Sequence, residues 1–177
     1  METARKIAPV VLSEYDPQWP SVFEEEKQKI LEATSDQTFA IEHIGSTSIP
    51  GTTTKPEIDI MIGVPEISQT EALIHALENI GYIYFKRFEE FAPERRYLRK
   101  SDGLTPLFHI HMVEENGFFW RDRLIFRDYM RNHPSEVERY SSFKKDFISK
   151  NGTDRQAYSE AKKKVVDDII ETAQKSI

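Results

Sequence analysis

The sequence predicts a mixed α/β fold in which a small β-sheet is flanked by helices and closed by a helical C-terminal cap. Two observations carry this. Stretches with a period of two alternate with stretches of helical period up to about residue 113, whereas from residue 118 onward only the helical period remains. The 177 residues also include 11 Phe, 7 Tyr and 2 Trp within a 38% apolar composition, which supplies one core and, at this length, one domain. The whole chain, 1–177, is expected to form a single unit, with a mixed-sheet core over about 10–113 and a helical cap over about 118–177.

A short strand is expected over Pro9 to Glu14. Asp16-Pro17-Gln18-Trp19-Pro20 then has the Asx and proline chemistry of a helix entry, and the stripe Trp19, Val22, Phe23, Ile30 and Leu31 carries a helix to about Ala33. Glu24, Glu25 and Glu26 read as a solvated acidic face of that helix. Phe39 to Ile44 is strand-like, and Gly45 to Lys55 is a loop of Gly, Ser, Thr and Pro. In the next strand, Glu57 to Val64, strict early alternation points Glu57 and Asp59 one way and Ile58 and Ile60 the other.

Ser68 to Ile80 reads as an amphipathic helix, with Ser68 and Glu71 spaced as a capping box and Gly81 as its stop. Strand-like stretches follow at Tyr82 to Phe85, Arg96 to Arg99 and Leu107 to Val113, the last two forming a hairpin through a turn at Ser101-Asp102-Gly103. Helices are expected over about 118–131, 135–150 and 154–175. Val137, Tyr140, Phe143 and Phe147 recur at three and four residues in the second, as do Tyr158, Ala161, Val165 and Ile169 in the third. Asn151-Gly152-Thr153 matches a glycosylation acceptor but, without a secretory signal, reads as the turn between those two helices.

Composition narrows the chemistry. With no cysteine there is no disulfide, thiolate nucleophile or Cys-built zinc site, so a metal would have to be held by Asp, Glu or His. Lys and Arg total 24 against 30 Asp and Glu, and a net charge of −6 without a contiguous basic stripe disfavours duplex nucleic acid as a partner. No stretch approaches a membrane span or a signal h-region, so the expected location is the cytoplasm, with no membrane partner.

The segment from Ile44 to Ile60 carries the chemistry. A strand ends in Gly45-Ser46, a polar loop crosses over, and a second strand presents Glu57 and Asp59 on one side. Glycine lets the backbone approach closely, hydroxyls and N–H groups hold phosphate oxygens, and two like-facing carboxylates hold a divalent ion opposite them. The loop is not a P-loop, because Thr52 and Thr53 follow Gly51 where Lys and Ser or Thr would be needed.

Several segments resemble one family. Glu42-His43-Ile44-Gly45-Ser46-Thr47-Ser48-Ile49-Pro50-Gly51, Lys55-Pro56-Glu57-Ile58-Asp59-Ile60 and His109-Ile110-His111-Met112-Val113 are similar to the GrpB family. So are Tyr15-Asp16-Pro17-Gln18-Trp19-Pro20 and the break at Arg127-Asp128-Tyr129-Met130-Arg131-Asn132-His133-Pro134. The resemblance runs from about Val10 to the C-terminus. It implies the nucleotidyltransferase superfamily and its small mixed sheet with a helical partner. In some relatives such a domain is joined to a dephospho-coenzyme A kinase.

Carried over residue by residue, the resemblance implies a phosphate grip at Gly45 and Ser46, beside which Thr47 is a further phosphate-binding candidate, and a catalytic carboxylate pair at Glu57 and Asp59. The third acid expected on a neighbouring strand is missing, because that strand reads Phe108-His109-Ile110-His111-Met112. His109 and His111 share one face of it. They read as metal ligands beside Glu57 and Asp59, with His111 as an alternative general base, or as structural residues of which one pairs with Asp59. The cofactor implied is a divalent ion, Mg²⁺ or Mn²⁺, with Zn²⁺ suited to the histidines.

Arg95, Arg96, Arg99 and Lys100 form the densest positive stretch, split between two strand faces, and Lys55 adjoins the carboxylates. Lys55, Arg95 and Arg96 are the further phosphate candidates. Arg121, Arg123 and Arg127 read as ordinary surface charge, and Tyr129 and His133 as packing and helix-end residues. The ligand implied is a nucleoside triphosphate or a coenzyme A-like molecule, with transfer of a nucleoside monophosphate to a small-molecule or protein hydroxyl. The alternatives are a catalytically silent binding or partner-docking module and a metal-dependent hydrolase with a histidine-rich site.

Overall fold

The computed structural model describes residues 9–35, 40–101 and 107–176. In chain order the elements are α1 (Trp19–Ala33), β1 (Ala40–Ile44), β2 (Glu57–Val64), α2 (Glu71–Asn79), β3 (Ile83–Tyr84), β4 (Arg95–Lys100), β5 (Leu107–Glu114), α3 (Phe118–Asn132), α4 (Pro134–Asn151) and α5 (Arg155–Gln174). The five strands form one mixed sheet in the order β1-β2-β5-β4-β3. β2 and β5 run parallel at its centre, and the other pairs are antiparallel. The parallel pair needs a crossover, which α2, β3 and β4 provide. No helix among the described residues is long and apolar enough to cross a membrane.

Alternation along the strands divides the sheet into two faces. Ile58, Ile60 and Ile62 of β2, Leu98 of β4, and Ile110 and Met112 of β5 turn toward α1 and α2 and bury with Trp19, Phe23, Ile30, Leu73, Ile74 and Leu77. On the other face Ile44, Met61 and Val113 meet Trp120 of α3. A separate cluster, Phe126, Met130, Val137, Tyr140, Val166, Ile169 and Ile170 with Ile49, knits α3, α4 and α5 into the cap. The threonine-rich loop is buried against this cap: Thr52, Thr53 and Thr54 are all buried, and the Thr53 N–H donates to Ser141 Oγ on α4 at 3.0 Å.

Four expectations change. Pro9 to Glu14 forms no strand, only a single antiparallel bridge of Ser13 with Thr54. The capping box does not form. Ser68 lies in a 3₁₀ turn over Ile67–Gln69, α2 starts at Glu71, and Thr70 precedes it with its hydroxyl donating back to Ile67 O at 2.9 Å. Glu26 is not solvated: it is 1% exposed and accepts from the Tyr82 hydroxyl at 3.0 Å and from Lys100 Nζ at 2.7 Å. Its position is three residues after Phe23 and four before Ile30, on the apolar stripe of α1. β3 is shorter than expected, spanning only Ile83–Tyr84. The hairpin turn after Ser101 lies outside the described residues, whereas β4 and β5 pair antiparallel as expected.

Gly152, at φ 76°, ends α4 and turns the chain into α5, whose first turn Asp154 caps by accepting from the Ala157 N–H at 2.7 Å. Asp154→Ala should cost about 1 kcal/mol in urea unfolding. Unchanged stability would mean that the cap contributes nothing.

A candidate functional site between sheet and cap

The register of the parallel pair builds the centre of the site. Asp59 on β2 lies beside His109 on β5, and on β5's other side Tyr97 and Arg99 of β4 lie beside His111 and His109. All these side chains project from the cap-facing side of the sheet. Asp59 Oδ1 is 3.3 Å from His109 Nδ1 and 3.5 Å from His111 Nε2. Arg95 donates to His111 Nδ1 at 3.4 Å, which leaves the neutral ring's proton on Nε2, pointing at Asp59. The Tyr97 ring contacts both imidazoles.

Glu57, two residues before Asp59, is held by Lys55 at 2.7 Å and Arg155 at 3.2 Å. β1 ends beside Asp59, since Ile44 is its register partner. The chain then turns at Gly45, φ 71° and ψ −174°, into a 3₁₀ turn over Ser46–Ser48. A Cβ on Gly45 would strike the Asp59 carboxylate, so glycine is what allows the loop to lie on that acid.

The cap supplies the opposite wall. Lys144 of α4 has no exposed surface, its Nζ is 3.3 Å from Ser46 Oγ, and it lies 4.1 Å from the centre of the Tyr140 ring. The Tyr140 hydroxyl lies close enough to Ser46 to interact with it. Lys162 of α5 is close enough to Asp59, Glu57, Arg123 and Arg155 to interact electrostatically with each. Arg123 of α3 stacks over Phe119 at 4.7 Å and leaves a buried Nε without a hydrogen-bond partner, as does His109 at Nε2.

This environment moves protons. Burial by itself would raise the Asp59 carboxyl, but hydrogen bonds from His109 and His111 hold it well below the usual carboxylate range. Glu57 is lowered too, since Lys55, His109 and Arg155 outweigh its burial. Burial pushes Lys144 well below the usual lysine range, with repulsion from Lys162 and Lys55 adding to it. Lys162 is lowered by burial, with Asp59 pulling it back. Burial also lowers His111.

The family model described as GrpB protein matches residues 9–172. The chain belongs to the GrpB family. It is similar to a UPF0157 protein of Pseudomonas aeruginosa, 35% identical over 158 residues that make up 88% of this chain and 64% of that one. It is also similar to the glutamate-rich protein GrpB of Alkalihalophilus pseudofirmus, 31% identical over 91% of this chain and 94% of that one. The crystal structure of conserved protein GrpB from Enterococcus faecalis superposes with a TM-score of 0.78 at 32% identity, covering 92% of this chain and 98% of its own.

In this GrpB-family chain, Gly45, Ser46, Lys55, Glu57, Asp59, Arg95, His109 and His111 meet in one cluster. Arg96 does not. It projects from the opposite face of β4 and is occupied by Glu89 at 3.4 Å and Pro93 O at 2.9 Å. The Thr47 hydroxyl faces away as well, bonding His43 Nε2 at 3.0 Å, and His43 itself stacks on Phe23 on the far side of the sheet. Arg127 is not surface charge, since it binds Glu42 at 2.6 Å and the His43 carbonyl at 3.2 Å. Tyr129 and His133 stack at 3.9 Å at the end of α3, as packing residues.

Lys144, Lys162, Arg123, Arg155, Tyr97 and Tyr140 are the site residues that sequence reasoning missed. One signal for the two lysines was present. Lys144 follows Tyr140 by four residues, and Lys162 follows Tyr158 by four, so each places a charge on the apolar stripe of its helix.

Proposed function

We propose that this GrpB-family protein is nucleotidyltransferase-like: it binds the phosphate chain of a nucleoside triphosphate, or of a coenzyme A-like molecule, at this site, and passes a nucleoside monophosphate to a hydroxyl. The observation that carries this reading is Ser46 set on the buried Lys144 and Tyr140, directly beside the contact of Gly45 with Asp59. Ser46 and the loop N–H groups receive phosphate oxygens, and Lys55 and Arg95 face them. A histidine of the 109/111 pair accepts the proton of the acceptor hydroxyl, and Asp59, kept ionised, steadies the imidazolium that results. The hydroxyl oxygen bonds to the α-phosphorus as the bond to pyrophosphate breaks.

The superfamily uses a pair of divalent ions on three carboxylates. These residues do not fit that pair, because His109 stands opposite Asp59 where a third acid belongs and Glu57 is already paired with Lys55 and Arg155. Among the described residues no group of three or more His, Asp or Glu is arranged to hold a metal. The same engagement of Glu57 and Asp59 favours a second reading, a module that binds the ligand without turning it over.

Chelator-treated protein incubated with ATP, CTP, GTP and UTP, each α-labelled and each with and without Mg²⁺, Mn²⁺ or Zn²⁺, separates the readings. At 100 times its dissociation constant a ligand stabilises by about 2.7 kcal/mol, a rise of roughly 5 to 10 °C in melting temperature at this size. Release of pyrophosphate that Asp59→Ala abolishes supports transfer. A melting shift without release supports the binding module. Stabilisation by Mn²⁺ or Zn²⁺ alone assigns Glu57, Asp59, His109 and His111 as ligands of a single ion, and no shift with any nucleotide overturns the proposal.

A further inference from the structure

Building on the proposed nucleotide binding, we infer that this site takes the phosphate chain as a free polyanion, its charge met by six basic side chains instead of divalent ions. The six come from five places in the fold: Lys55 from the loop, Arg95 from β4, Arg123 from α3, Lys144 from α4, and Arg155 and Lys162 from α5. They crowd one another. Lys55 and Arg155 hold the two oxygens of Glu57 at 2.7 and 3.2 Å, Arg95 and Arg123 lie over the same Phe119 ring at 5.1 and 4.7 Å, and Lys144 and Lys162 feel these charges and each other. Two carboxylates, Glu57 and Asp59, lie at their centre.

Such a gathering is not a product of composition, because the chain as a whole carries a net charge of −6. Bringing like charges together out of water opposes folding, and arrangements of that kind concentrate where a ligand of opposite charge completes them. The buried Nε of Arg123 lacks an acceptor, and Lys144 Nζ is set against a neutral hydroxyl, Ser46 Oγ. Both are completed by phosphate oxygens. A metal ion entering the same space would meet a surplus of basic groups and would find both oxygens of Glu57 and Oδ1 of Asp59 already engaged.

The charge logic reverses the usual effect of magnesium and of the aspartate. Mg²⁺ bound to ATP cancels two of its charges, so the free anion is the better ligand. Asp59→Asn keeps the shape of the side chain and removes a negative charge from the middle of the cluster.

The test is calorimetric titration of the full chain with ATP and with inorganic tripolyphosphate, in EDTA and in excess Mg²⁺. Binding is expected in EDTA for both probes, weakened about tenfold by Mg²⁺, tightened about tenfold by Asp59→Asn and weakened about tenfold by Lys162→Met. Lys162 is partly exposed on α5, so its variant tests the charge without emptying the core. ATP binding that needs Mg²⁺ and is lost in Asp59→Asn overturns the inference and leaves nucleotide binding standing. Failure of ATP and tripolyphosphate to bind in either condition overturns both.

Discussion

Replacing Gly45 by alanine should unfold a large part of the protein's stability margin, about 3 kcal/mol or more, and abolish ligand binding. The residue sits at φ 71° and ψ −174°, a region that is essentially glycine's alone and costs other residues about 1 to 3 kcal/mol. A Cβ there would also lie 3.1 Å from both Cβ and Cγ of Asp59 and closer still to its carboxylate. That acid cannot simply swing aside, because His109 and His111 both hold Oδ1. Gly152 supplies the control. It has nearly the same backbone angles, φ 76° and ψ −165°, but a Cβ would meet nothing within 4 Å. Gly152→Ala therefore reads the backbone strain alone, and the difference between the two variants in urea unfolding reads the contact with Asp59. Equal losses in the two would mean that the loop does not rest on the carboxylate.

Acid should weaken the fold well before carboxylates begin to titrate. His43 is buried against Phe23, and burial lowers its pKa from 6.5 to about 4, with Arg131 and Arg127 nearby adding to the effect and Asp59 opposing it. In the unfolded chain it takes up a proton near pH 6.5, whereas the folded chain refuses one until about pH 4. Between those values the unfolded state binds more protons, so stability is complete above pH 6.5, falls as the pH drops, and stops falling on this account near pH 4. Over that span of about 2.5 pH units the loss is roughly 3 kcal/mol. His111, lowered as well, adds to the same window. Asp59 and Glu57, whose carboxyls are lowered, act only below it, since their contribution is present above the usual carboxylate pKa and is lost as the pH falls toward their folded values. His43→Gln keeps a polar group for Thr47 and removes the titration. Urea unfolding at pH 7, 5.5 and 4.5 should show a much shallower decline in the variant, and an unchanged slope would clear His43 of the effect.

Much of the fold was legible in the sequence because its signals are local. Periods of two and of 3.6 located the sheet strands after Ala40 and the three helices of the cap, and alternation in β2 alone established that Glu57 and Asp59 share a face. The same alternation paired His109 with His111 and separated Arg95 from Arg96. What alternation cannot tell is which face looks where. Only the parallel pairing of β2 with β5 brings the imidazoles to Asp59, and only the packing of the cap over that side gathers the cluster, with Arg95 in it and Arg96 on the other face.

The charges misread or passed over in the sequence share one cause. Glu26, Lys144 and Arg127 look like surface residues by type, and each is settled by partners distant in the chain: Tyr82 and Lys100 for the first, Ser46 for the second, Glu42 for the third. Periodicity records which side chains share a stripe or a face. Whether a charge on that stripe is buried depends on groups remote in sequence that replace its water, and those groups are brought to it only when the sheet and the cap close on each other.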